Sequence, residues 1–244
     1  MVATILVRGA TRRGYVAPPA GPATQRLASR CRRTADQAPY APPVDLLLIR
    51  HGLPVRRETT DGSPADPELD VAGRDQAERL ARWLAPEGLD TVYVSPLRRA
   101  RETAAPLAAA VGVEPIVDDE VAEFDRASHF YIPIEELKAT KDPRYEEIMR
   151  GEHHGEVDPE TFREIVTIAI ERIIEANAGK RVAVVCHGGV INAYATHALG
   201  IPDVMFFEPV YTSVSRFVCS SRGHRTLVSL NETGHLHAER TAAI

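Results

Sequence analysis

After Pro43, short apolar runs alternate with longer segments in which apolar residues recur at helical spacing. The runs have the length of buried strands, and this alternation is typical of an α/β domain with a mostly parallel sheet. The last two runs flank Ser220–His224 (SSRGH), a turn that favours an antiparallel edge. The predicted strands are Val44–Arg50, Thr91–Ser95, Val182–His187, Val214–Cys219 and Thr226–Leu230.

Four helices are predicted between these strands. The second begins at Ser95, which we expect to be its N-cap, with Pro96 in the first helical position. The third has Asp158 as its cap and Gly179 as its stop. The predicted helices are Leu69–Ala85, one from Ser95, Pro159–Ala178 and Val190–Leu199. The first has four apolar residues on one face: Ala77, Leu80, Ala81 and Leu84. The third has an apolar stripe of Phe162, Ile165, Val166, Ala169 and Ile173.

Composition limits the possible classes of protein. A chain of 244 residues that is 44% hydrophobic can bury one substantial core, and no apolar run approaches the roughly 18 residues of a membrane span. We therefore expect one domain, with no membrane partner. Three cysteines form an odd set without metal-ligand spacing, which favours a reducing compartment such as the cytoplasm.

Charge separates the N-terminal segment from the rest of the chain. Residues 1–43 carry seven arginines and one acid, a net charge of +6, which leaves −11 for the remainder. Together with the proline-rich stretches APPAGP and APYAPP, this predicts a disordered extension, with the folded domain over 44–244. The extension is either without function, an Arg-rich targeting segment or a tether to anionic surfaces. The acidic body argues against nucleic acid as the main partner.

Two predicted strands end in a histidine followed by glycine. Gly52 allows a tight turn that would leave the His51 ring exposed, and the guanidinium of Arg50 suits the oxygens of a phosphate. His187 follows the later strand in the same way. A structural histidine at a strand end is the alternative reading of both. Because the carboxyl ends of parallel strands share one edge of a sheet, we expect the two imidazoles to lie together.

A third motif supplies further positive charge. Ser95–Ala104 (SPLRRARETA) opens a helix, whose N-terminus attracts anions, and Arg99 lies in its first turn. Arg98 and Arg101 are expected on the solvated face, with Glu102 as an ion-pair partner. The three motifs together predict a phosphate pocket with a histidine nucleophile.

These motifs resemble those of the histidine phosphatase superfamily, in the branch that includes cofactor-dependent phosphoglycerate mutases, over about Asp45–Leu230. Leu69–Ala77 (LDVAGRDQA) is similar to the family's LTxxGxxQA-like stretch. The resemblance implies a three-layer α/β/α sandwich with a mostly parallel mixed sheet. It also implies that His51 is transiently phosphorylated and that Arg50, Arg99 and His187 surround the phosphate.

The family's proton donor is commonly a glutamate shortly after the arginine helix. Val121–Phe124 (VAEF) resembles that segment and implies Glu123, with Asp125 and Glu120 as alternatives. Where the mutase branch has a Glu-Ser-x-Trp-Asn-like run after its triplet, this chain reads LPVRRETT, and DRASHFYIP replaces a Gly-x-Trp-Glu-Gly-like segment. These departures favour a phosphatase over a mutase.

We therefore predict a phosphomonoester hydrolase that needs no metal and no cofactor and acts on a small phosphorylated metabolite through phosphohistidine. A mutase-type phosphotransferase and a catalytically weak phospholigand-binding module are the alternatives. The sequence leaves open the substrate and the oligomeric state, for which a homodimer is one option.

Val113–Gly155 is expected to form a lid. Secondary candidates are His129, Phe130 and Tyr131 for substrate, Arg56 and Arg57 for a polyanion, and His153 with His154 or His235 with His237 for metal, all expected more often on exposed loops.

Overall fold

The computed structural model describes residues 41–150, 157–203 and 205–237. The extension predicted over 1–43 lies outside these ranges except for its last three residues, and His153 and His154 lie outside them too. Within the described part, the Pro42 carbonyl accepts a hydrogen bond of 3.0 Å from the Gly179 N–H. No helix in these ranges is both long and apolar enough to cross a membrane.

A six-stranded mixed sheet forms the centre of the fold. β1 pairs in parallel with β6, β6 with β3, and β3 with β4, whereas β7 pairs antiparallel with both β1 and β8. The predicted antiparallel edge is therefore confirmed, with strand order β4-β3-β6-β1-β7-β8. The strands are β1 (Val44–Arg50), β3 (Thr91–Val94), β4 (Ile116–Val117), β6 (Arg181–Cys186), β7 (Val214–Cys219) and β8 (Arg225–Glu232), and a separate two-stranded sheet joins β2 (Arg57–Glu58) to β5 (Phe130–Tyr131).

Helices cover both faces of the sheet. In β1, Leu46 and Leu48 pack in one core with α5 and α6, whereas Leu47 and Ile49 pack in a second core with α1 and α2. Successive side chains of a strand point to opposite faces of the sheet, so the two cores lie on opposite faces, each covered by helices. This arrangement confirms the predicted three-layer sandwich. The helices are α1 (Val71–Leu84), α2 (Arg98–Val111), α3 (Ile134–Thr140), α4 (Pro143–Met149), α5 (Pro159–Ala176), α6 (Gly188–Leu199) and α7 (Gly234–His237).

Several local predictions are wrong in detail. Helix α2 begins at Arg98 with Leu97 as its N-cap, so Ser95 does not cap it. Asp158 does cap α5, but Ile165 is 37% exposed, so it does not belong to the buried stripe. The stop lies two residues before Gly179, at Asn177. The described part of the stretch expected to form a lid contains β4, which is an edge strand of the central sheet, and the short elements β5, α3 and α4.

Candidate active site

The three predicted motifs converge at the carboxyl edge of the parallel strands. His51 directly follows β1, and His187 follows β6, its parallel neighbour. Their ring centroids are 5.1 Å apart. Arg99 lies in the first turn of α2, which follows β3 on the other side of β6, and it lines the same cavity as Arg50 and His51. The predicted convergence of two imidazoles and two guanidinium groups is therefore observed.

His51 is held with one ring nitrogen oriented by the backbone. Nδ1 lies 2.8 Å from the Gly52 carbonyl, which can only accept a hydrogen bond, so the proton is on Nδ1 and Nε2 keeps its lone pair. The prediction of an exposed ring is wrong, since His51 is only 3% exposed. Burial, together with the charges of Arg99 and Arg50, holds the pKa of His51 well below its usual value, and the ring is neutral at pH 7.

The segment after His51 is fixed by two neighbouring helices. The Gly52 N–H donates to Thr103 Oγ1 of α2 at 2.9 Å, and the Leu53 N–H donates to Gln76 Oε1 of α1 at the same distance. A Cβ on Gly73 would lie 2.0 Å from the Leu53 carbonyl oxygen, so only glycine allows α1 to come this close. These contacts explain the LDVAGRDQA stretch as a support for the histidine loop.

Both arginines are buried and oriented by aromatic rings. Arg50 donates from Nη1 to the Pro209 carbonyl at 2.5 Å, and its guanidinium carbon lies 3.8 Å from the centroid of the Tyr211 ring. Arg99 donates from Nη2 to Asp125 Oδ1 at 2.9 Å and lies 4.6 Å from the Tyr131 ring. The sequence did not indicate Tyr211, because an isolated tyrosine in a loop carries no local signal of such a contact.

Three buried nitrogen atoms of this cluster have no hydrogen-bond partner within the described part of the chain: Nε of Arg50, Nε of Arg99 and Nδ1 of His187. Buried polar groups in native proteins are nearly always paired, so a cluster of unpaired ones calls for an explanation. An anion with several oxygen acceptors, such as a phosphoryl group, would satisfy all three. The residues present therefore suit a phosphate.

His187 is oriented by the serine that was expected to cap a helix. Its Nε2 lies 2.7 Å from Ser95 Oγ, which also accepts the Leu97 N–H at 3.3 Å. Ser95 is therefore free to donate its hydroxyl proton to Nε2, an arrangement that leaves the ring proton on Nδ1. Burial and the charge of Arg99 hold the pKa of His187 well below its usual value.

Glu123 meets the geometric requirement for a proton donor in this cluster. Its Oε2 accepts a hydrogen bond of 2.9 Å from the N–H of Gly189, two residues after His187, and its side chain lines the cavity. The pKa of Glu123 is raised to about 7, mainly by burial and secondly by the charge of Asp125. A carboxyl group with this pKa can both give and take a proton near neutrality.

The other two acids considered from the sequence are occupied differently. Asp125 lines the cavity but pairs with Arg99. Glu120 is 46% exposed and pairs with Arg172 outside the cavity. The structure thus separates three acids that the sequence left as alternatives, and only Glu123 combines burial with a place next to the histidines.

The secondary candidates mostly lie outside the cavity. Of the trio 129–131, Tyr131 lines it, whereas His129 and Phe130 are exposed. His235 was expected on an exposed loop but is buried, with its ring stacked on Trp83 at 5.0 Å. Among described residues, no group of three or more His, Cys, Asp and Glu could hold a metal.

The secondary arginine candidates and the arginines expected on the solvated face lie at the surface. Arg56 pairs with Glu136, Arg57 pairs with Glu68, and Arg98 pairs with Glu68 and Glu102, while Arg101 is exposed.

Known proteins share this fold and sequence pattern. Phosphoserine phosphatase 1 of Hydrogenobacter thermophilus is 30% identical over 202 residues, which cover 79% of this chain and 94% of that protein. Phosphoglycerate mutase-like protein 4 of Arabidopsis thaliana is 31% identical over 206 residues, covering 79% and 86%. The crystal structure of phosphoserine phosphatase from Entamoeba histolytica in complex with 3-phosphoglyceric acid is 25% identical, with a TM-score of 0.62, covering 79% of this chain and 99% of that one.

The family model for the histidine phosphatase superfamily (branch 1) matches residues 46–242. This range includes both histidines, both arginines and Glu123. It also includes all six strands of the central sheet except the first two residues of β1. The chain therefore belongs to the histidine phosphatase superfamily.

Proposed function

We propose that this protein is a phosphomonoester hydrolase that acts on a small phosphorylated metabolite through a phosphohistidine intermediate on His51. The observation that carries the proposal is the pairing of two buried, neutral imidazoles, 5.1 Å apart, with the unpartnered Nε atoms of Arg50 and Arg99. Neutral imidazole is a nucleophile, and fixed donors around it stabilise the charge of a phosphoryl group in transfer.

In the first half of the reaction, Nε2 of His51 attacks phosphorus and the bond from phosphorus to the ester oxygen breaks. Arg50, Arg99 and Nδ1–H of His187 donate to the three phosphoryl oxygens, whose charge they balance in the transition state. The protonated carboxyl of Glu123 gives its proton to the leaving oxygen, so that an alcohol departs. The products of this step are phosphohistidine, the alcohol and the Glu123 carboxylate.

In the second half, the same carboxylate removes a proton from water as the water oxygen attacks phosphorus. The phosphorus–nitrogen bond breaks, His51 regains its lone pair and inorganic phosphate leaves. Glu123 ends protonated, ready for the next turnover. A pKa of about 7 suits Glu123 both as the acid of the first half and as the base of the second half, because its protonated and ionised forms are both substantially populated at neutral pH.

Replacement of His51 by alanine tests the nucleophile. We expect hydrolysis of p-nitrophenyl phosphate to be abolished, because His187, the second neutral imidazole of the cluster, has its Nε2 bound to Ser95 and presents Nδ1–H to the phosphate. We also expect wild type to show acid-labile phosphate on His51. His129→Ala is the matched control, since His129 is exposed and lies outside the cavity. Circular dichroism would verify that both variants are folded. Activity that survives in His51→Ala would overturn the nucleophile assignment.

The mutase-type alternative predicts a different product. A mutase would isomerise 3-phosphoglycerate in the presence of a bisphosphorylated primer and release little free phosphate, whereas a hydrolase releases phosphate without a primer. A binding module would take up phosphate in a saturable manner with negligible turnover. The hydrolase should keep its rate in EDTA. The cytoplasmic location and the homodimer stay predictions.

A further inference from the structure

The cavity that holds the reactive cluster has a second, apolar part. Arg50, His51, Arg99 and Glu123 line its reactive part, together with Gly188 and Gly189. A substrate whose phosphoryl group is held there must place its leaving group against the remaining lining. Six residues of that lining have apolar or aromatic side chains: Phe124, Tyr131, Ile134, Ile148, Met205 and Pro209.

Positive charge is confined to the reactive part. Arg50 and Arg99 are the two arginines that line the cavity, and within the described ranges no lysine lines it. A bound phosphate dianion uses the charge of both. Lys138, which lies nearby, is already bound to both oxygens of Glu208, at 3.0 and 2.9 Å. Among the described residues of the lining, no cation is therefore left for a second anionic group of the substrate.

Beside the two arginines, the charged side chains described in and around this cavity include three acids. Asp125 and Glu208 line the cavity, and Glu135 lies 3.5 Å from Arg50. Asp125 is paired with Arg99 and Glu208 with Lys138, so with a phosphate dianion bound these groups offer no surplus positive charge to a carboxylate on the substrate, and the apolar side chains would not solvate it. An uncharged, apolar group would instead gain from burial there.

We propose that this cavity selects phosphomonoesters of uncharged, largely apolar alcohols or phenols and discriminates against leaving groups that carry a carboxylate. The inference rests on the proposed function and names its substrate class. It separates this chain from its relatives named for phosphoserine and from the Entamoeba enzyme crystallised with 3-phosphoglyceric acid, because both compounds carry a carboxylate.

A matched pair of substrates tests the preference directly. The phosphate esters of 4-carbamoylbenzyl alcohol and 4-carboxybenzyl alcohol have nearly the same size, and the methylene group insulates the reacting oxygen from the substituent. We expect kcat/KM to be about tenfold higher for the carboxamide, because the carboxylate must be desolvated without a counter-charge. Phosphoserine and 3-phosphoglycerate should also react more slowly than benzyl phosphate. Equal rates for the pair, or a preference for the carboxylate, would overturn the inference.

Adding a cation to the apolar wall should weaken the preference for the carboxamide. Ile148 lines the cavity at the end of α4, and Ile148→Lys should raise the ratio of carboxylate to carboxamide turnover about fivefold. Ile168→Lys is the matched control, because Ile168 is 58% exposed on α5 and lies outside the cavity. The control should leave the ratio at the wild-type value, and an equal change in both variants would count against the proposal.

Failure of this inference can be told apart from failure of the proposed function. If p-nitrophenyl phosphate is hydrolysed and the carboxylate is preferred, the substrate class is wrong and the hydrolase stands. If no ester is turned over, the two corresponding benzylphosphonates still report the preference by calorimetry. Tighter binding of the carboxamide would then support the selectivity, and tighter binding of the carboxylate would overturn it.

Discussion

The reactive part of the cavity and its apolar wall are built in different ways. Arg50 ends β1, and His51 and His187 directly follow β1 and β6, so the backbone of the central sheet fixes their positions. The wall comes instead from β5, α3, α4 and the loop that precedes β7. The ion pair of Arg56 with Glu136 ties the wall to the segment after β1, and the ion pair of Lys138 with Glu208 joins two segments of the wall itself.

Because of this difference, we expect the two parts of the cavity to tolerate amino-acid substitution to different degrees. In-line attack at phosphorus requires reacting atoms placed within a fraction of an ångström, and buried groups bonded to backbone supply that placement. Contact between the wall and an uncharged leaving group requires only that the wall has a matching shape and presents no charge. Substitutions near the strand ends should therefore act on kcat, whereas substitutions in the wall should act on substrate preference and KM.

Among substitutions that keep the reacting side chains themselves, the largest effect is expected from Gly189→Ala. A Cβ at this position would lie 2.3 Å from Oε1 of Glu123, so the carboxyl group must leave its present position. A displacement of about 1 Å can lower a rate about 100-fold, and we expect a loss of that order in kcat for an alkyl phosphate. Steady-state kinetics with benzyl phosphate would measure it.

Gly234→Ala is the control for that substitution. The nearest atom to its added Cβ belongs to Trp83 at 3.9 Å, an ordinary contact far from Glu123 in the chain. This variant should keep the wild-type kcat. A Gly189→Ala enzyme with full activity would show that the position of Glu123 is not critical, and the proposed acid would have to be sought elsewhere.

The parts of the site that could be predicted from sequence are those fixed by local pattern. The apolar run of β1 predicted a strand buried on both faces, and the residues after it were then placed by the geometry of parallel sheets. Arg99 was predicted for a similar reason, because a helix that follows a strand in such a fold begins at the same edge of the sheet.

The parts that could not be predicted depend on distant contacts. Ser95 has the local features of an N-cap, but its hydroxyl contacts His187, which is 92 positions away in the chain. Glu120, Glu123 and Asp125 are equivalent in type and close in sequence, and only burial separates them. The wall could not be assembled from local pattern, because its side chains come from segments far apart in the chain, 124–148 and 205–209.

An intermediate effect is expected from Asp125→Asn, which alters charge next to Glu123. The charge of Asp125 raises the pKa of Glu123, and its ion pair partly neutralises Arg99, whose charge lowers that pKa. Both consequences of the substitution lower the pKa of Glu123. With an alkyl phosphate, whose turnover needs the protonated acid, the alkaline limb of the pH profile near pH 7 should move to lower pH.

A shift of half a unit would lower the rate at pH 8 roughly threefold relative to wild type. The profile of kcat against pH for benzyl phosphate would measure this. Glu123→Gln is the control, because it removes the titrating group and should remove the limb together with most of the activity. A limb that moves to higher pH in Asp125→Asn would contradict the assignment of Glu123 as the acid.

The smallest effect is expected in the wall, from Lys138→Met. Lys138 holds α3 to the 205–209 segment by its contacts with Glu208, but its side chain is 56% exposed, and solvent screens such a pair. We expect kcat to be unchanged and KM for benzyl phosphate to change by no more than about twofold. Lys180→Met, at an exposed position before β6, is the matched control and should match wild type in both constants. A tenfold loss of kcat in Lys138→Met alone would mean that the wall positions the reactive groups, and the division between the two parts of the cavity would then fail.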